Sequence, residues 1–93
     1  MRFNRESAVE RAKKDLAERL NVAADEIETS SVVEKDFSDM SLGAAAAGEM
    51  AAQMISSGWQ INLHAAGQSY EYRADKYQLR LLNYKGANYL IEG

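Results

Sequence analysis

The stretch GWQINLHAAGQSYEYRA, Gly58 to Ala74, decides the fold. Trp59, Ile61, Leu63 and Ala65 alternate with Gln60, Asn62 and His64, and beyond Gly67 the residues Tyr70, Tyr72 and Ala74 alternate with Glu71 and Arg73. A period of two with apolar groups on one side is the mark of half-buried antiparallel strands. Gly67 and Gln68 predict a type II′ turn, with glycine at the first central position. That turn sets Ala65 opposite Tyr70, Leu63 opposite Tyr72, His64 opposite Glu71 and Asn62 opposite Arg73.

Toward the C-terminus, Leu79 and Leu81 alternate with Gln78 and Arg80, which predicts the next strand. A tight turn at Asp75 and Lys76 pairs Ala74 with Tyr77, Tyr72 with Leu79 and Glu71 with Arg80. Charge favours that register, because a turn two residues longer sets Arg73 against Arg80. After a turn over Lys85, Gly86, Ala87 and Asn88, the run Tyr89, Leu90, Ile91 predicts a short fifth strand. Leu82, Tyr84, Tyr89 and Ile91 are then expected on the outer face of the sheet, where an apolar patch marks a partner site or must be covered.

Toward the N-terminus, Ala8, Val9, Ala12, Leu16 and Leu20 recur every three or four residues among charged neighbours, so Glu6 to Leu20 reads as an amphipathic helix. Asn4 or Ser7 caps its start, Glu10 and Lys14 form an i, i+4 pair, and Asn21 supplies a left-handed stop. Ile27 leads into a first strand in which Thr29, Ser31, Val33 and Phe37 alternate with Ser30, Val32, Glu34 and Asp36. The expected fold class is α+β: one N-terminal amphipathic helix on a four- to five-stranded antiparallel meander, residues 1–93 forming a single domain.

Between the first and second strands lies an insertion rich in alanine, glycine and methionine, residues 43–58. Its alanines favour helix, while Gly43, Gly48 and Gly58 each weaken one by about 1 kcal/mol, so a helix over Glu49 to Ile55 is marginal on its own. Met50 and Met54 are adaptable side chains on a long insertion, and are candidate partner-binding residues. The spacing Gly43, Ala44 to Ala47, Gly48 matches a phosphate-binding loop, but Glu49 stands where lysine is needed and repels phosphate.

Composition limits the chemistry. The 93 residues carry a net charge of −3, no cysteine and one histidine, with 46% hydrophobic and 27% charged residues. One small core is expected, with no disulfide framework and no thiolate metal site. No cofactor is implied. The acidic balance argues against nucleic acid, and Gly43 to Ile55 is too short to insert across a membrane. His64 beside Glu71 is a candidate small-ligand or acid–base pair, for which a solvated cross-strand charge network is the plainer account, and Asp36 and Asp39 are carboxylates open to a cation, for which exposed turn acids are the plainer account. No apolar signal segment follows Met1, so the expectation is cytoplasmic for a complete chain and extracytoplasmic if a signal has been removed.

Asp15 to Val22 followed by Asp25 to Glu28 resembles the helix-to-strand passage of PepSY-like domains, and Gly67 to Asp75 resembles their final hairpin. The chain is also similar to small bacterial proteins bearing a Ser-Leu-Gly-Cys-Pro loop, where this sequence has Ser41, Leu42, Gly43, Ala44 and Ala45. The resemblance implies a helix wrapped over an antiparallel meander and a non-enzymatic, protein-binding role such as regulation or inhibition of a peptidase. The alternatives are a self-associating structural protein using Leu82, Tyr84, Tyr89 and Ile91, and a small-ligand binder around His64 and Glu71.

Overall fold

The computed structural model describes residues 2–93. Helix α1 (Arg5–Leu20) is followed by a single 3-10 turn (Ala24–Glu26) and five strands: β1 (Glu28–Phe37), β2 (Ser56–Ala65), β3 (Gln68–Ala74), β4 (Leu79–Tyr84) and β5 (Ala87–Glu92). They form one antiparallel sheet in the order β1-β2-β3-β4-β5, the expected meander with its fifth strand present.

Helix α1 starts and stops where its sequence directs. The Asn4 side chain accepts from the Ser7 backbone N–H at 2.8 Å while the Ser7 hydroxyl accepts from the Asn4 N–H at 2.9 Å, a reciprocal cap worth about 1 kcal/mol. Asn21 closes the helix in the left-handed region at φ 55°. Among the described residues, the i, i+4 ion pair that forms is Asp15–Arg19 at 2.8 Å, in place of the expected Glu10–Lys14.

Ala8, Ala12, Leu16 and Ala17 of the helix pack with Ile61, Leu63, Ala65, Tyr72, Ala74, Leu79 and Leu81 of the sheet. The alternation read from the sequence therefore points the expected side chains at the helix, with Trp59 and Tyr70 half-buried at the margin. Each fully buried leucine or isoleucine contributes about 1.5–3 kcal/mol. Tyr72 is fully buried, and its hydroxyl donates to Asp15 Oδ2 at 2.8 Å. Burial, and next that bond to a carboxylate, push the Tyr72 phenol far above its ordinary range.

Both expected registers are displaced by two residues. The β2–β3 turn consists of Ala66 and Gly67, both at positive φ (51° and 74°), the backbone signature of a type I′ rather than a II′ turn. Ala65 consequently faces Gln68, Leu63 faces Tyr70, Ile61 faces Tyr72 and His64 faces Ser69. The β3–β4 loop holds four residues, because Asp75 Oδ1 accepts from the backbone N–H groups of Tyr77 (2.8 Å) and Gln78 (3.0 Å). Ala74 then faces Leu79, and Arg73 faces Arg80. A shift of two leaves each side chain on its expected face.

Parity does change at three irregularities. A bulge between Thr29 and Ser31 turns Val32 toward the core and leaves Val33 exposed. Asn83, in the left-handed region at φ 48°, interrupts β4 and brings Tyr84 to the helix side. An extra residue in β5, between Leu90 and Glu92, places Ile91 against the core while Glu92 meets Arg11 at 2.8 Å. The expected outer patch is thus corrected: Tyr84 and Ile91 join the helix-side cluster, Tyr89 pairs with Leu81 under Arg19, and Leu82 is left on the other face.

Candidate functional site

The face of the sheet away from the helix is covered by the chain between β1 and β2, residues 38–55. Phe37, Leu42 and Ala44 are buried outside the helix-side core, together with Ser41, Ser56, Gln78 and Arg80. This segment contains no helix, contrary to the marginal helix considered over Glu49 to Ile55. Its polar backbone is held by side chains of the sheet instead, which removes the advantage of internal helical hydrogen bonds.

Four side chains from β3, the β3–β4 loop, β4 and β5 donate to carbonyl oxygens of the segment. Gln78 Nε2 donates to Met40 O at 2.7 Å, Arg73 Nη1 to Leu42 O at 2.8 Å, Arg80 Nη1 to Ala44 O at 3.3 Å and Asn88 Nδ2 to Ala45 O at 3.0 Å. Like Glu71 and Leu82, Arg73 and Arg80 are outward-facing residues of β3 and β4. Their guanidinium groups are rigid planar forks of donors, suited to bridging several acceptors at once.

Arg80 is 5% exposed at its side chain and forms a two-point ion pair with Glu49, its Nη2 lying 2.7 Å from Glu49 Oε2 and its Nη1 close to Oε1. Glu49 Oε1 also accepts from the Ala46 backbone N–H at 3.0 Å. The bond from Arg80, and after it the Ala46 N–H, hold the Glu49 carboxyl down to about 2. A carboxylate of the chain therefore occupies the turn whose glycine spacing resembles a phosphate loop.

Asp39 opens the segment. Its Oδ1 accepts from the Ser41 hydroxyl (2.6 Å), the Ser41 N–H (2.9 Å) and the Gly43 N–H (3.1 Å), which hold its carboxyl below the usual range. Gly43 lies at φ 68°, where a side chain is strained, and a Cβ there would come within 2.7 Å of Arg73 Nη1, so the arginine would have to shift to admit one. Asp36 accepts from the Ser57 hydroxyl at 2.6 Å. Both carboxylates read as cation candidates are engaged in local hydrogen bonds, and no group of three metal-ligating side chains occurs among the described residues.

Past this anchorage the chain exposes apolar side chains. Met50 is 96% exposed, Met54 63% and Ile55 76%. The structure thus separates the six candidate site residues into groups: Met50 and Met54 stand on the anchored segment, Tyr84, Tyr89 and Ile91 lie on the helix side, and Leu82 lies opposite Glu71. His64 and Glu71 are not paired, since His64 faces Ser69 and Glu71 binds Arg73 at 2.8 Å. Sequence reasoning missed the anchoring set of Arg73, Gln78, Arg80, Asn88 and Glu49. The available signal was two arginines at outward positions of neighbouring strands, which require acceptors from elsewhere.

Among the described residues, no helix is long and apolar enough to cross a membrane. No curated protein and no solved structure matches the chain significantly. A family model described as a domain of unknown function, DUF8738, matches residues 9–82, which take in the helix from Val9 onward, the first three strands, the anchored segment and β4 as far as Leu82. The matched part contains every anchoring residue except Asn88, and on this match the chain belongs to the DUF8738 family.

Proposed function

We propose that the chain is a non-enzymatic protein-binding module that makes contact through the apolar run from Met50 to Ile55. The supporting observation is the exposure of Met50, Met54 and Ile55 on a segment whose base is fastened to the sheet. Methionine is unbranched and polarizable, so it conforms to irregular partner surfaces. Anchoring the base lowers the ordering entropy that a free loop of this length loses on binding. The resemblance to PepSY-like domains makes a peptidase the first partner class to test.

A photo-crosslinking side chain in place of Gln53 tests the reading in cells. The expected result is a discrete adduct whose yield falls by about tenfold in the M50E/M54E variant, at unchanged thermal stability. An adduct of twice the chain's mass identifies self-association through the same surface. A labelling pattern indifferent to the two substitutions overturns the proposal.

A further inference from the structure

A second surface lies at the opposite end of β3 and β4. The β3–β4 ladder stops at Glu71 and Leu82, after which Gln68–Tyr70 and Asn83–Lys85 diverge around a cleft of about 620 Å³. That volume falls in the range of small-molecule sites. One backbone edge of residues 68–70 consequently has no strand partner, although their other edge remains paired with β2.

The cleft is aromatic and locally cationic in a chain of net charge −3. The Tyr70 and Tyr84 rings lie 6.2 Å apart, and Tyr89 meets Tyr84 edge-on at the same spacing. The Arg19 guanidinium sits 5.3 Å from the Tyr84 ring centre and 4.8 Å from that of Tyr89, with Asp15 as its counter-ion. Glu71, the acid in the wall, is matched by Arg73. Lys85 projects its ammonium 5.5 Å from the Tyr84 ring and, among the described residues, has no carboxylate within ion-pair distance. The wall therefore combines aromatic rings for stacking with an exposed ammonium that can accept an anionic partner.

We propose that this cleft binds an aromatic carboxylate, its ring on Tyr70 and Tyr84 and its carboxylate on Lys85. This chemistry occurs in a free aromatic acid and at a polypeptide C-terminus ending in Phe or Tyr. The site is separate from the Met50–Ile55 surface and stands or falls independently of it. Amide NMR of the full chain, titrated with phenylacetate, N-acetyl-Gly-Phe and its carboxamide, tests the assignment.

The expected result is saturable shifts confined to residues 68–71 and 83–85, weakened about tenfold in Lys85→Gln and restored in Lys85→Arg. Saturation by phenylacetate alone identifies a free acid as the ligand class. Tighter binding of the free-carboxylate dipeptide, lost in the carboxamide, identifies a polypeptide C-terminus. Absence of saturable shifts up to about 10 mM, shifts elsewhere, or binding indifferent to Lys85→Gln overturns the proposal.

Discussion

Arg73 and Arg80 face each other directly across the β3–β4 ladder, and each guanidinium is neutralised by a carboxylate on its own side of the pair. Glu71, two residues before Arg73 on β3, takes one; Glu49, carried in by the covering segment, takes the other. Like charges directly opposite on a sheet are destabilising. The β1–β2 connection therefore supplies part of what the sheet requires, beyond covering its outer face.

Replacing Arg80 tests that dependence. Arg80→Ala removes both bonds to Glu49, the bond to Ala44 O and the Nε bond to Gln78, and is expected to cost about 2–4 kcal/mol, moderated by the partial exposure of Glu49. Arg80→Lys keeps the charge without the planar fork and should fall between the variant and the parent. Urea unfolding measures the loss, and amide exchange at Gly43, Ala46 and Glu49 reports whether the segment detaches. Equal stability of Arg80→Ala and the parent would show that the clamp is ornamental.

The same pair sets an acid limit. The Glu49 carboxyl is held at about 2 in the folded chain against an ordinary 4.5, so its contribution is complete above about 4.5 and is lost as pH falls toward 2. Glu49→Gln should flatten this part of the stability curve, visible as a smaller change in urea midpoint between pH 5 and about 2.5 than in the parent.

Gly58 and Gly48 make a contrasting pair. A Cβ at 58 would stand 1.9 Å from the Ala74 carbonyl oxygen and 2.9 Å from its carbon, contacts that only backbone movement relieves. A Cβ at 48 meets nothing within 4 Å, and only its φ of 78° opposes a side chain. Gly58→Ala should therefore cost about 3 kcal/mol or more and Gly48→Ala about 1 kcal/mol, read as separate urea midpoints.

Tyr72 gives an alkaline signature. Its folded phenol lies far above the ordinary value of 10, so the associated stability is full below pH 10 and declines as pH rises beyond it, where the unfolded chain ionises and the folded chain does not. Ultraviolet titration should show one of the five tyrosines lagging the rest until the fold is lost. Tyr72→Phe removes the lagging group and the bond to Asp15, at a cost of about 1–3 kcal/mol.

Helix and strand faces were legible in the sequence because they depend on periodicity alone. Leu16, Ile61, Leu63, Tyr72 and Leu79 are buried as their spacing requires. Register was not legible, since displacement by two preserves every face and the choice rests on local turn chemistry: a left-handed Ala66 and the side chain of Asp75. The positions of Tyr84, Tyr89 and Ile91 depend on irregularities in β4 and β5, which alternation cannot register. The two exposed methionines were readable as candidates, whereas their anchorage was not. Its acceptors are carbonyl oxygens, which every residue possesses and no residue type announces.

That anonymity has a corollary for how the molecule can change. Gln78, Arg73, Arg80 and Asn88 grasp carbonyl oxygens along the main chain from Met40 to Ala45, while the buried Leu42 and Ala44 and the left-handed Gly43 shape the path they hold. Past the grip, Ala51 through Ile55 take no part in those four bonds, so the frame can carry other residues at its tip without loosening its hold.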